Sequence, residues 1–338
     1  MAWGHEMREK KIRVLVTGAG GFIGHHLVTY LKQKGYWVRG VDLKYPDYSE
    51  VDADEFELLD LRRWDSALQA TRGIDHVYAL AADMGGMGYI SAHHAQILHN
   101  NALINFHTME AARLNGATHY LYTSSACVYP EYLQTDAQVT PLKEEDVLPA
   151  QPQDAYGWEK LITEILAGYY QQDYGMETRI VRFHNIFGEF GTWDGGREKA
   201  PAAMCRKVAI AKLNGNPIVE VWGDGEQTRS FCHINDCVEG IYKLMQSDYR
   251  KPLNLGQDRM VTINELVDLV AKAAGISVEK KHVDGPQGVR GRNSDNTRLR
   301  EVLDWEPQIS LEEGLKRTYD WIEEQVRQRL EEEVANIE

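Results

Sequence analysis

The run GAGGFIG (Gly18 to Gly24) lies between a short, β-branched apolar stretch, KIRVLVT at 11–17, and an apolar-periodic segment reaching about Lys34. A glycine turn that joins a buried strand to a helix constrains the fold more than anything else in the chain. Gly18 allows the tight turn, and Gly21 lets backbone N–H groups approach a pyrophosphate. Phe22 and Ile23 open the helix, Gly24 permits close packing of that helix on the strand, and the helix N-terminus stabilises negative charge. This is the pattern of a dinucleotide site on a parallel sheet.

The segments that follow keep the alternation. Strands are expected at 36–42 (YWVRGVD), 56–60, 75–82 (DHVYALAA), 118–124 (THYLYTS) and Arg179 to Phe183, with helices at 99–115 and 155–172. Strands alternating with helices imply an α/β fold with a Rossmann-type, doubly wound parallel sheet, here over 11–183. A smaller substrate-binding α/β domain is expected over 184–338, its boundary interleaved with the first so that later segments can return to it. Helices are expected there at 262–275 and from Leu311 to about Gln328. The glycine-, proline- and charge-rich stretches 188–201 and 284–297 read as loops lining a site.

Composition narrows the function. The chain has 338 residues, 43% hydrophobic and 26% charged, and a formal charge of −14. That balance excludes a general nucleic-acid binder but not a small anionic ligand held by local arginines. Cys127, Cys205, Cys232 and Cys237 have no disulfide-like spacing, which suits a reducing cytoplasm. Cys232, His233 and Cys237 lack the partners for a tetrahedral zinc set and read as core, so no metal is expected. The segment Met1 to Lys10 has no signal-like apolar core, and no run of about 20 apolar residues marks a membrane span.

Chemistry concentrates at four places. Asp42, ending the second strand, can accept from both ribose hydroxyls and repel a 2′-phosphate, which favours NAD, although Lys44 two residues on could tolerate one. Asp60 and Leu61 suit an adenine or simply end a strand. Tyr156 and Lys160, in YGWEK, share a helix face; a lysine beside the phenol, together with the positive nicotinamide, is expected to lower its pKa towards that of a general base, with Ser125 bonding the same oxygen. Cys127, within SSACVYP, reads either as a small buried residue or, with Lys199 of GGREKAP, as an acid/base pair beyond what a plain dehydrogenase needs. Oxidising one ring carbinol acidifies both neighbouring C–H bonds, so two such groups on opposite ring faces can invert them. Arg197, Lys207, Arg229, Arg290 and Arg292 suit a diphosphate. His184 and Asn185 follow a strand end, where they position ligand or cap backbone. Small residues in MGGMGY (Met84 to Tyr89) allow close approach of a sugar.

These motifs resemble the extended short-chain dehydrogenase/reductases, and within them the GDP-mannose 3,5-epimerase family. The resemblance runs from about 11 to 325 and includes AADMGGMG, SSAC, PQDAYG, RFHN, GGREKAPAA, WGDG, QTRSF and GVRGRNSDN. It implies an isomerase that interconverts GDP-α-D-mannose and GDP-L-galactose, with GDP-L-gulose as the C5-only product. NAD would oxidise and re-reduce C4 through Tyr156 and Lys160, while Cys127 and Lys199 exchange protons at C3 and C5. Substrate contacts are implied at Gly85, Ser125, Asn185, Glu198, Lys199, Ala200, Lys207, Gln227, Arg229 and Arg292. A homodimer through the helices near 99–115 and 155–172 is implied as well. Trp158 departs from the smaller apolar residue usual within YxxxK. The competing readings are a nucleotide-sugar 4-epimerase or 4,6-dehydratase, which would not need Cys127 and Lys199, and an NAD-binding sensor or scaffold without catalysis.

Overall fold

The computed structural model describes residues 11–286 and 288–335. Met1–Lys10, expected to carry no signal-like core, lies outside the described residues. Seven parallel strands form the main sheet. Six come early: β1 (Arg13–Thr17), β2 (Trp37–Asp42), β3 (Glu55–Leu58), β4 (His76–Ala79), β5 (His119–Ser125) and β6 (Glu177–Phe183). Four short strands, β7 (Ile186–Phe187), β8 (Ile218–Trp222), β9 (Thr228–Ser230) and β10 (Cys232–His233), separate them from the seventh, β11 (Pro252–Leu255). The order is β3-β2-β1-β4-β5-β6-β11. The chain leaves β1 to one side and returns at β4 on the other, which opens a crevice at the strands' carboxyl ends.

The expected strands are present with their ends displaced. β4 stops at Ala79 because the next two amides, of Leu80 and Ala81, donate to Thr17 Oγ1 at 3.0 Å rather than to a ladder. That bond ties the loop after β4 to the end of β1, at the crevice itself.

Helices cover both faces. α1 (Phe22–Gln33), α2 (Trp64–Thr71), the single turn α3 (Met87–Ile90), α4 (His94–Leu114) and α5 (Ala155–Tyr174) belong to the first half. Asp154 caps α5 by accepting from Gly157 N at 2.9 Å, and Gly175 ends it at φ 68°, the left-handed turn that suits glycine. The second half adds α6 (Ala200–Asn214), α7 (Ile234–Gln246), α8 (Ile263–Ala274), α9 (Thr297–Leu303) and α10 (Leu311–Ala335), with strands β12 (Met260–Thr262), β13 (Glu279–Val283) and β14 (Gly291–Arg292). A full capping box at Thr262 and Glu265 starts α8, worth about 1 kcal/mol.

Apolar cores form on both faces of the main sheet and among the helices of the second half. α6, α8 and α10 pack on one another through Met204, Val208, Leu266, Val270, Leu315 and Ile322. α7 and β11 instead join the main sheet: Cys237, Ile241, Leu244, Leu253 and Leu255 pack with Val14, Leu27 and Leu31. Cys232 and Cys237 are fully buried there, in keeping with their reading as core. None of the helices among the described residues is long and apolar enough to cross a membrane.

Candidate active site

The glycine turn holds the geometry a dinucleotide requires. Gly18 has φ +71°, and a Cβ on Gly24 would stand 1.9 Å from the Gly18 carbonyl oxygen. One on Gly20 would stand 2.1 Å from the Lys44 carbonyl oxygen. α1 begins at Gly21 without a side-chain cap, so its first amides face the end of β1 ready for an anion. The Asp42 carboxylate accepts from Gly20 N at 2.9 Å and from Leu43 N at 2.6 Å. Burial raises its pKa, against the pull of those amides. Lys44 is engaged by Asp47. Asp60 pairs with Arg62 at 2.7 Å, and Leu61 is buried beside it. The residues fit an NAD with a free ribose 2′-hydroxyl.

The reactive residues cluster at the ends of β5 and α5. Ser125 caps a turn at Ala126–Val128 by accepting from Cys127 N at 3.2 Å, which points that short segment into the crevice. α5 is pressed against it: a Cβ on Gly157 would lie 2.2 Å from the Cys127 carbonyl oxygen. Tyr156 and Lys160 therefore enter the site from directly beneath Cys127. Tyr156 packs with Ile90 and Ile97, and Met84, Tyr89 and Cys127 close over it.

Lys160 Nζ donates to the Thr123 carbonyl at 3.0 Å and stands 5.4 Å from the centroid of the Tyr156 ring. The phenol is not lowered in the chain alone. Burial pushes it well above its usual value, Cys127 adds to this, and the bond with Ser125 opposes it. Lys160 is lowered by burial, with Glu159 working against the shift. Desolvation outweighs the lysine at this depth.

Lys199 sits at the N-cap of α6, open to the cleft yet ringed by protein. Desolvation lowers its pKa, and the nearby Cys127 thiol resists that shift. Arg292 Nη1 donates to Cys127 Sγ at 3.4 Å, while its Nε donates to Gln134 Oε1 at 2.5 Å. Arg229 donates to the carbonyls of Thr228 and Val289 at 2.7 and 2.6 Å. Burial, then Arg292 beside it, brings its pKa down to about 9. Two arginines thus flank the cysteine, as a diphosphate or a thiolate would require.

The other expected contacts divide. Asn185 lies at the end of β6 with φ 50° and donates to the Ser230 carbonyl at 2.9 Å. Gln227 is buried and donates to Trp222 O at 3.2 Å, which leaves its Oε1 without a partner. Gly85 packs on Tyr89, and Ala200 begins α6. The Glu198 carboxylate is taken by Gly196 N at 2.7 Å and Arg206 at 2.9 Å. Lys207, two turns along α6 from Lys199, donates to Glu220 O at 2.7 Å and lines a groove of about 310 Å³ with Asn214, Ile218 and Glu220. Arg290 does not join the cluster: it forms a fork with Asp224 at 2.8 Å on the surface. His184 is buried against Asn254, at 3.0 Å. Sequence reasoning missed Gln134, which holds Arg292, and Arg206, which holds the Lys199 loop; both sit in stretches without a motif.

The arrangement places a phenol, a hydroxyl and an ammonium at one wall of a crevice, a thiol between two arginines above them, and a second ammonium on a facing loop. Such a set can hold a nucleotide sugar, deprotonate a hydroxyl and exchange protons at carbon. The chain belongs to the NAD dependent epimerase/dehydratase family, whose profile matches residues 14–256, and NAD is its cofactor. It is 50% identical over 319 residues to GDP-mannose 3,5-epimerase 1 of Oryza sativa subsp. japonica, spanning 94% of this chain and 83% of that protein. GDP-mannose 3,5-epimerase of Arabidopsis thaliana is also 50% identical, over 94% of this chain and 84% of its own length. UDP-glucose 4-epimerase from Thermotoga maritima has the same fold, with a TM-score of 0.84 at 25% identity, covering 93% of this chain and 100% of that one.

Proposed function

We propose that the chain epimerises GDP-α-D-mannose at C3 and C5 to GDP-L-galactose, with GDP-L-gulose as the product of inversion at C5 alone. The observation that carries this reading is that the Cys127 thiol lies near enough to Lys199 to act on its charge, at a site that also keeps Tyr156, Ser125 and Lys160. The plant relatives at 50% identity, named for this activity, support it.

Gly18, Gly21, Phe22, Ile23 and Gly24 would hold the pyrophosphate of NAD, Asp42 its ribose, and Asp60 with Leu61 its adenine. Tyr156 and Lys160 would serve the nicotinamide end. Bound NAD supplies reversible acceptance of a hydride from C4, which makes that carbinol a ketone and acidifies the C–H bonds at C3 and C5. Tyr156 takes the proton of the C4 hydroxyl and later returns it, and Ser125 orients that oxygen. Lys160 stabilises the phenolate. At each inverted carbon, one of Cys127 and Lys199 removes the proton from its face and the other delivers one to the opposite face. Arg229 and Arg292 bind anionic oxygens of the substrate. Gly85, Asn185, Glu198, Ala200, Lys207 and Gln227 complete the contacts with the GDP-sugar.

The working unit we propose is a cytoplasmic homodimer. Trp158, Ile162, Ile165 and Tyr169 make an exposed apolar stripe at helical spacing on α5, and Leu98 and Phe106 add to it from α4. Four free cysteines suit a reducing compartment. Within each chain, 11–183 forms the NAD-binding unit and 184–338 mainly the substrate unit, with α7 and β11 returned to the first.

Incubation with GDP-mannose in heavy water, followed by proton NMR of the sugar, tests the reaction. Deuterium at C3 and C5 with a galactose-configured product is expected. No exchange at either carbon, with NAD bound and the protein folded, would rule the assignment out. A Cys127→Ala variant that keeps full turnover would point to a 4-epimerase.

A further inference from the structure

Lys199 leaves the polypeptide at a place with little stiffness of its own. Gly195 and Gly196 precede it with φ 88° and 84°, and a Cβ on either would meet open space. Lys199 caps α6 without any side-chain bond to the helix. Its position depends on what holds the loop from each side. On one side, Arg206 of α6 donates to Trp193 O at 3.1 Å and pairs with Glu198 at 2.9 Å. On the other, the loop crosses the mouth of the crevice and meets the segment after β4. There the Arg197 guanidinium lies over the Tyr89 ring, 4.0 Å from its centroid. Gly86 N donates to Arg197 O at 3.2 Å, and a Cβ on Gly86 would stand 2.8 Å from Glu198 O. Backbone therefore touches backbone at this crossing.

Tyr89 is itself fixed. Its hydroxyl donates to Asp83 at 2.8 Å, and its ring stacks on His93 at 4.4 Å. It also packs in the apolar cluster of Tyr156, Cys127 and Met84. One aromatic ring thus touches the neighbourhood of Cys127 on one side and the loop of Lys199 on the other.

We propose that Tyr89 is a positioning residue for Lys199: by clamping Arg197 across the mouth of the site, it holds the second proton carrier in register with Cys127. The ring does most of this, through its face; the hydroxyl orients it on Asp83 and adds a contact of its own to Arg197. The inference rests on the role given to Lys199 above. Replacing Tyr89 by leucine keeps an apolar side chain against Tyr156 and Cys127 and takes the ring away from Arg197. Proton exchange at carbon then falls while oxidation at C4 survives, because displacements of about 1 Å at a reacting group lower rates by roughly two orders of magnitude.

The test uses the NAD-loaded enzyme and GDP-mannose in heavy water, following deuterium at C3 and C5 by NMR and C4 oxidation by the reduced-nicotinamide absorbance. Tyr89→Leu is expected to lose at least about tenfold in deuterium incorporation, with C4 oxidation within about threefold of the parent. Tyr89→Phe, which keeps the ring on Arg197, is expected to lose several-fold less than Tyr89→Leu. Arg197→Met, on an exposed loop, is expected to match Tyr89→Leu, and the double variant to be no worse than either, since the two side chains act as one unit. Unchanged exchange in Tyr89→Leu, equal losses in Tyr89→Leu and Tyr89→Phe, additive losses in the double variant, or a parallel loss of C4 oxidation would each overturn the clamp. Lys199→Ala, run alongside, separates the two ideas: undiminished exchange in that variant means that Lys199 carries no proton, and the parent reading fails first.

Discussion

Gly157 is the position where one added carbon should do the most selective damage. Its Cβ would lie 2.2 Å from the Cys127 carbonyl oxygen, 2.8 Å from Pro152 Cβ and 3.0 Å from the Cys127 carbonyl carbon. Ordinary contact begins at 3.4 Å, so α5 and the cysteine backbone must separate by about 1.2 Å. Two of the three opposing atoms are backbone and cannot swing aside. A displacement of that size at a reacting group costs roughly a hundredfold in rate. Gly157→Ala is therefore expected to lower kcat for GDP-mannose about a hundredfold. Stability moves much less: alanine gains about 0.5–1 kcal/mol in a helix, and overpacking costs about 1–3 kcal/mol. The cofactor turn at Gly18–Gly24 is on another strand, so bound NAD should stay at the parent's level. The assay is steady-state turnover together with NAD content after gel filtration. Turnover within about threefold of the parent would refute the claim that this contact sets Cys127. Loss of NAD in step with activity would show that the fold, not the cysteine, had been damaged.

Three further outcomes can be checked. Glu164→Leu strands Arg182, which is buried and forms a fork with that carboxylate at 2.9 and 2.7 Å; urea unfolding should show a loss of about 3–5 kcal/mol, and a loss below about 1 kcal/mol would contradict the pairing. Trp158→Glu, in the exposed stripe of α5, should turn a dimer into a monomer in sedimentation velocity, and an unchanged dimer would move the interface elsewhere. Stability should fall as the pH drops from neutral towards 4. Burial leads the causes that hold His26 and His76 down to about 4 and His184 to about 3, from 6.5. Between those values the unfolded chain binds more protons, so stability rises with pH across that window. A urea midpoint that does not change from pH 7 to pH 5 would contradict this.

Most of the sheet was legible because its strands are short, apolar and bounded by glycine or charge. β1 and α1 follow from GAGGFIG alone, and α5 from the run around YGWEK. α6 was hidden for a physical reason: it packs against both α8 and α10, so its apolar residues spread around the helix and give no stripe. α7 does carry a stripe, at Ile234, Cys237, Val238, Ile241, Leu244 and Met245, but Cys237 reads in the sequence only as core, with no helix assigned to it. β11, at four residues (PLNL), is too short and too poor in β-branched residues to stand out. At the site, residues within one motif were readable and contacts between motifs were not. Nothing in MGGMGY or GGREKAP tells of the other, yet Tyr89 and Arg197 meet. YxxxK likewise shows the lysine but not the depth at which both residues lie.

The buried ion pair has a consequence for how the molecule is made. Ser124 and Arg182 share the Glu164 carboxylate, Arg182 reaches Tyr129, and Tyr129 donates to Asn254 at 2.6 Å. Asn254 also accepts contact from His184 and donates to Leu142 O. Every member but Asn254 precedes residue 185 in the chain, and Asn254 arrives on β11. A nascent chain halted on the ribosome before β11 has emerged would hold its charges and its cofactor turn, but the tyrosine two residues beyond Cys127 would have Arg182 and lack Asn254. Synthesis of the last sheet strand is thus the moment at which a nucleotide-binding fragment becomes a protein with a rigid floor under its thiol.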